Sequence, residues 1–322
     1  KAGATLALST FSAEPTSVVM EIGSTGATIS GTGTLTLGGN VTVNATAGSS
    51  GATISASVAL TATRTFTVAD DGTSATDLTI SGVISGLTFG VTKAGAGTMT
   101  LSGTNTYTGV TTINAGVLSV ATIGNGGTAG NLGQAAAGAA NLVLGGGTLR
   151  YTGATASTDR AFTLTAGTTS SIDVTANTLT ISGASANTNG ALTKIVAGTL
   201  ILSGANLYTG LTTVSAGTLQ YGVSNALSTG DVTVNGGTFN IATFSDSVGA
   251  VTLVDGTISG SSGVLAGTSY AVQNGTVSAI LGGAGVALTK TTAWTVTLSG
   301  TNTFTGGSTL SAGTLNINNA QA

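Results

Sequence analysis

The chain contains no cysteine, no histidine, one proline (Pro15) and one tryptophan (Trp294). Charged residues make up 5% of its 322 positions, against roughly 25% in an ordinary soluble domain. Each shortage excludes something. Without cysteine there is no disulfide, and the redox compartment stays open. Without histidine or cysteine, a Ser-His or Cys-His nucleophile cannot be assembled. A net charge of -3 gives no electrostatic reason to expect nucleic acid or an anionic membrane as partner. Threonine, serine or glycine interrupts every apolar run well short of the ~18 residues of a membrane span. The opening KAGATLALSTFSAEP lacks the charged-then-apolar layout of a signal peptide and reads as a mature or excised start.

What is present is repetition. Gly198 to Leu219 reads GTLILSGANLYTGLTTVSAGTL, opening and closing on Gly-Thr-Leu. Gly97 to Leu118 and Trp294 to Leu315 match it closely. In all three the apolar residue after the opening threonine recurs 19 positions on: Met99 to Leu118, Leu200 to Leu219, Val296 to Leu315. From Leu200 the register continues through Leu219, Phe239, Ile258, Val277, Val296 and Leu315, each preceded by threonine. A short fixed period with β-type composition is the mark of a solenoid. Strand side chains alternate faces, so the apolar residue points inward and its threonine outward. The fold class expected is all-β, a parallel β-helix (β-solenoid) of about 19 residues per rung. Sixteen such rungs at ~4.8 Å each would build a rod of about 75 Å.

Further along, the steps Leu35 to Ile54 and Ile80 to Met99 also span 19 residues. Residues 1–34 carry no clear match and are read as an N-terminal capping or docking segment. Residues 35–322 are read as one continuous solenoid. Ile123 to Ala140, rich in Gly, Asn and Ala, breaks the register and predicts a protruding loop at 123–140. The order of elements recurs at about 100 residues: a strand pair, a lysine (Lys93, Lys194, Lys290), then the core motif.

The motif KAGAGTMTLSGTNTYTGVTTINAG at Lys93 to Gly116, with counterparts at Lys194 to Gly217 and Lys290 to Gly313, resembles the autotransporter-associated β-strand repeat of bacterial surface proteins. That resemblance implies a right-handed β-helix, exported by a Gram-negative-type cell and displayed outside it. It implies no catalytic residue. Such proteins end in a membrane barrel; this chain ends on a rung, as a cleaved passenger or a borrowed repeat would.

Candidate sites are few. The ten carboxylates do not recur at the 19-residue period, which argues against paired-acid catalysis on adjacent rungs. No enzyme activity and no cofactor are expected. Asp70, Asp71 and Asp77, with Ser74, offer oxygen ligands to Ca²⁺, but their spacing fits no known calcium loop and an Asp-Gly turn accounts for them. The threonine ladder lacks a second threonine column (Ile201, Gln220, Asn240, Ser259), which argues against ice binding. Asn105, Asn206 and Asn302 are equivalent and should bond backbone at rung corners.

The interface residues expected are Phe11, Glu14, Pro15, Glu21, Trp294, Leu315 and Ile317. Solenoid ends without polar caps are templates for further strands, so the first functional expectation is an extracellular structural subunit that stacks head to tail on copies of itself into a filament or surface layer. The alternative is an adhesin passenger that binds glycans or cell-surface partners through the 123–140 loop or Trp294.

Overall fold

The computed structural model describes residues 3–319, so the outermost positions of the 1–34 and 35–322 segments (1–2 and 320–322) lie outside the described residues. The chain is a parallel β-solenoid of short strands, with one 3₁₀ turn at Ala139–Asn141 and no α-helix among the described residues. It divides into two compact units, Lys1–Thr163 and Leu164–Ala322.

The strands form where threonine alternates with a branched or aromatic apolar residue, a pattern suited to a sheet buried on one face. In Thr199–Leu202 and Thr218–Tyr221 the two apolar positions are buried and the two outward ones half-buried. A serine, glycine or alanine then turns the chain. Each strand finds its main-chain partners only on the preceding and following coils, in parallel register. Gly217 shows why glycine is needed at a corner: its φ is +62°, and a Cβ there would meet the carbonyl oxygens of Val196 and Gly198.

In the second unit the inward column runs Leu179, Leu200, Leu219, Phe239, Ile258, Val277 and Leu298, each partnered with the next. All seven are buried. A second wall of the same coil runs Leu192, Thr212, Val232, Val251, Tyr270 and Leu288. In the first unit the corresponding walls are Ile29, Ile54, Ile80, Leu101, Val120 and Tyr151, and Val41, Phe66, Lys93, Ile113 and Leu144.

The step between coils averages about 21 residues, not 19. The 19-residue step holds within the core motif and through Val232–Val277. It fails at three places named above. Leu35 pairs with Val58, and Ile54 with Ile29 and Ile80. Ile80 pairs with Leu101. Val277 pairs with Leu298, while Val296 lies opposite Gly275. The strand leading into each core motif is one 21-residue step away: Leu78 to Met99, Leu179 to Leu200, Val277 to Leu298. A two-residue difference leaves every side chain on its own face, because the strand period is two. Hydrophobic patterning is therefore blind to it. In the first coils the corners hold more residues, and steps reach 27 between Phe66 and Lys93.

Residues 3–30 are themselves coil. Thr5–Ala7 pairs with Thr28–Ser30, and Val18–Ile22 with Val41–Ala45, both in parallel. The segment 123–140 occupies the 31-residue step from Leu118 to Leu149.

Leu219→Ala should lower stability by about 2–5 kcal/mol, because a thin core cannot collapse around the void. Thr218→Ala, one residue away on the outer face, should stay within about 0.5 kcal/mol of wild type. Urea denaturation of the two variants checks the assignment of faces.

Candidate functional site

The three lysines of the long repeat are in the core. Lys93 takes the inward position between Phe66 and Ile113, and Lys194 that between Ile172 and Val214. Both, and Lys290, are fully buried. A buried ammonium must find acceptors, and each finds them at the corner that follows. Lys93 Nζ donates to Ala94 O (2.9 Å), Gly95 O (2.7 Å) and, on the next coil, Ala115 O (3.2 Å). Lys194 Nζ donates to Ile195 O and Val196 O (2.7 Å each) and Ala216 O (3.4 Å). Lys290 Nζ donates to Thr292 O, Thr292 Oγ1 (2.9 Å) and Ala312 O (3.4 Å). Burial lowers Lys93 and Lys194 from 10.5 to about 8, partly offset by Asp77 and Asp173 respectively. Val196 sits at φ +65°, a costly conformation for a β-branched residue; its carbonyl is one of the acceptors that Lys194 holds.

Twelve residues after each lysine comes the corner asparagine. Asn105 Oδ1 accepts from Ile84 N–H (2.8 Å) and its Nδ2 donates to Asn131 O (2.8 Å). Asn206 likewise joins Ser185 N–H (2.9 Å) to Ala226 O (2.8 Å). Asn302 Oδ1 accepts from Leu281 N–H (2.9 Å). Two residues on, Tyr107 and Tyr208 are buried, with their hydroxyls 2.7 and 2.8 Å from Thr111 and Thr212. Burial pushes the Tyr107 phenol up to about 12 and that of Tyr208 higher still. The third copy has Phe304 and Ser308 instead. Lysine and asparagine thus form one internal latch per long repeat, tying coils together, and in the first two copies tyrosine joins them. Sequence reading noted the lysines only as markers of order. The signal that could have assigned them was their fixed distance from the asparagine and their place in an alternating strand.

The acidic residues singled out do come together. Oxygens of Asp70, Asp71 and Asp77 lie within 4.8 Å of one another. Asp71 and Asp77 are buried and Asp70 is exposed. Asp71 Oδ1 accepts from Thr73 N–H (2.7 Å), Ser74 N–H (2.6 Å) and Thr73 Oγ1 (3.1 Å). Hydrogen bonds from Ser74 and Thr73 pull its carboxyl down to about 2. Asp77 Oδ1 accepts from Asp71 N–H (3.1 Å) and its Oδ2 from Thr98 N–H (2.7 Å), which fastens the loop to the next coil.

Several side chains pin the 123–140 segment to the coil, and one of them carries most of the bonds. Arg160, buried, donates to the carbonyls of Gly124 (2.9 Å), Gly133 (2.8 Å), Ala135 (3.3 Å), Asn125 and Thr128 (3.4 Å each). Asp159 Oδ1 accepts from Gly126 N–H (2.7 Å). Leu132 and Ala135 are buried beneath the loop.

The expected interface residues are scattered. Pro15 and Glu21 line a cleft of about 290 Å³ with Leu6, Val19, Met20 and Ile29; Phe11 and Glu14 are exposed outside its lining. Glu21 also accepts from Asn44 Nδ2 (2.7 Å). In the second unit Trp294 is 68% exposed, Ile317 48% exposed, and Leu315 half-buried against Val296.

Three segments, 91–120, 192–220 and 288–317, match the passenger-associated-transport-repeat family. Each contains one lysine, its asparagine and the aromatic residue that follows. The chain is also 41% identical over 235 residues to the adhesin BmaC autotransporter of Brucella suis biovar 1 (strain 1330). That alignment covers 69% of this chain but 7% of the relative, so the chain spans a small part of the adhesin's length. No solved structure matches.

Two outcomes follow from the buried cations. Lys93 and Lys194 release their protons near pH 8 when folded but near 10.5 when unfolded. Between those values the unfolded chain holds more protons, so stability should rise with pH across the window. Unfolded tyrosines ionise from about pH 10 and reverse the trend, because the buried ones hold their protons. The urea midpoint should therefore climb from about pH 8 to 9.5, and the climb should shrink in the Lys93→Met/Lys194→Met variant. Separately, Arg160→Met should raise amide exchange across 124–135 by about tenfold or more, since five carbonyl anchors are lost. Exchange in the inward strands should be unchanged.

Proposed function

We propose that this chain, with its three passenger-associated transport repeats, is a segment of the exported passenger of a Gram-negative surface adhesin, and that it contributes to attachment without catalysis. The observation that carries this is the 41% identity to an autotransporter adhesin over 69% of the chain. The chemistry supports it. The most perturbed groups, Lys93, Lys194, Tyr107, Tyr208 and Tyr221, are all buried in the solenoid core. What faces solvent is largely threonine, serine and asparagine with a few carboxylates, such as Glu14, Asp70 and Asp231, and single apolar groups such as Trp294, Leu207 and Leu87 standing out from them. Such a surface suits low-charge ligands, including glycans and the neutral surfaces of other proteins.

The filament expectation rests on exposed terminal strands alone, and the similarity found favours an adhesin over it. In the adhesin reading contact is made in the second unit by Trp294 and in the first unit by the 123–140 loop that Arg160 holds in shape.

Beads coated with the purified chain should adhere to cultured mammalian cells more than beads coated with an unrelated β-solenoid. Enzymatic removal of cell-surface glycans, and Trp294→Ala, should each reduce adhesion severalfold. Background adhesion by the wild-type chain would refute an attachment role for this segment, leaving it as a spacer. Long uniform filaments of the purified chain under the electron microscope would restore the polymer reading.

A further inference from the structure

The loop 69–77 in the first unit holds more negative charge than its hydrogen bonds explain. Asp70, Asp71 and Asp77 bring carboxylate oxygens within 4.8 Å of one another. Proximity of acids alone would mean little, and most of their oxygens have ordinary work as turn acceptors. Asp77 accepts with both oxygens, from Asp71 N–H and Thr98 N–H. Asp70 Oδ1 caps Gly72 N–H (2.8 Å). Asp71 Oδ1 takes three donors. The other oxygen, Asp71 Oδ2, is a separate matter. It is shut off from solvent and no donor meets it in hydrogen-bond geometry, on a residue only 4% exposed; the Ser74 hydroxyl, which draws this carboxyl down, gives its own hydrogen to Ser49 O (2.9 Å). A buried ionised oxygen without a donor is among the least tolerable groups in a protein interior. Here it belongs to a carboxylate that its other bonds keep ionised.

The cation nearby does not resolve this. Lys93 feels Asp77 electrostatically, but its ammonium is spent on the carbonyls of Ala94, Gly95 and Ala115. An additional positive charge, able to accept lone pairs from several oxygens at once, satisfies the orphan oxygen and the mutual repulsion together. We propose that Asp70, Asp71 and Asp77 form a calcium site in which Asp71 Oδ2 is a direct ligand and Asp70 the solvent-side one. The donor set is all oxygen, which selects a hard cation. The oxygens lie within 4.8 Å of one another, close enough to share one ion, and a set of carboxylates on a loop suits the flexible coordination of Ca²⁺ better than the strict octahedron of Mg²⁺. Three acids on a short loop, two of them bent into turns, place the affinity in the range of extracellular modules, with Kd about 10⁻⁴–10⁻³ M.

The location gives the ion a task. Asp77 is joined to Thr98 inside the first matched repeat, and a bound ion would clamp loop 69–77 onto that coil.

The test is calorimetric titration of the metal-stripped full chain with CaCl₂, together with thermal unfolding in millimolar CaCl₂ or MgCl₂ at constant ionic strength. One Ca²⁺ should bind, and the unfolding midpoint should rise by a few degrees with Ca²⁺ and not with Mg²⁺. Asp71→Asn keeps the Oδ1 acceptor that forms the turn and replaces the orphan oxygen with an amide. It should weaken Ca²⁺ binding by about tenfold or more and abolish the calcium-dependent shift. Should that variant fail to fold by circular dichroism, Asp70→Asn reads out the same loss from an exposed position. Glu14→Gln, a distant exposed acid, should bind as wild type does. No binding by the wild-type chain, equal binding by both loop variants, or an equal shift with Mg²⁺ would overturn the proposal.

Discussion

A coil of this solenoid cannot satisfy its own main chain. The described strands are two to ten residues of parallel sheet whose N–H and C=O groups point along the stacking direction, toward the coils before and after. The turns are held in register by what fills the interior, since a sheet slipped by one residue would send the inward column outward. The remaining features answer that requirement. Apolar side chains fill the column, glycines let corners of adjacent coils approach, and polar side chains meet the carbonyls and amides that corners leave unpaired.

The buried lysines belong to this last group. A corner turns several carbonyls toward the interior, where no strand can reach them, and a long side chain from the preceding strand carries three donors to them. Lysine suits the task because its four-carbon stem packs like the leucines and valines above and below it, while its head bonds the corner. The asparagine twelve residues later serves the opposite side, offering an acceptor to one coil and a donor to another. Together they explain why the long motif repeats at about 100 residues rather than at every coil. One such latch reaches across the coil before and the coil after, and the intervening coils use other side chains, such as Tyr270, whose hydroxyl meets Leu265 O and Gly267 N–H, and Asp246, which accepts from Leu227 N–H.

Charge is scarce for the same reason. Arg160 and the carboxylates of Asp71, Asp77 and Asp246 are buried and engaged in main-chain hydrogen bonds rather than presented to solvent. The exterior is left to threonine, serine and asparagine, which suit the outer face of a sheet. The charges that do reach that surface are a few carboxylates, such as Glu14, Glu21 and Asp231, and Trp294 stands out among its exposed apolar side chains.

The alternation of threonine with leucine, isoleucine or valine was enough to determine the parallel solenoid, because one period defines both strand and coil. The recurrence of lysine and asparagine in all three copies was visible too, at a constant interval of twelve residues. Three things were decided only in three dimensions. The true step between coils exceeds 19 residues at Leu78 to Met99 and Val277 to Leu298, which face alternation cannot reveal because a two-residue slip preserves it. That the buried Lys93 ammonium finds an acceptor on the next coil, Ala115 O, depends on which corner is stacked against it, and corners are set by glycine turns far apart in the chain. The meeting of Asp70, Asp71 and Asp77, and the isolation of one oxygen among them, depends on the coil carrying Thr98 packing over the loop. Local sequence sets the direction in which a side chain points; what it meets there belongs to another coil, some 20 residues or more away.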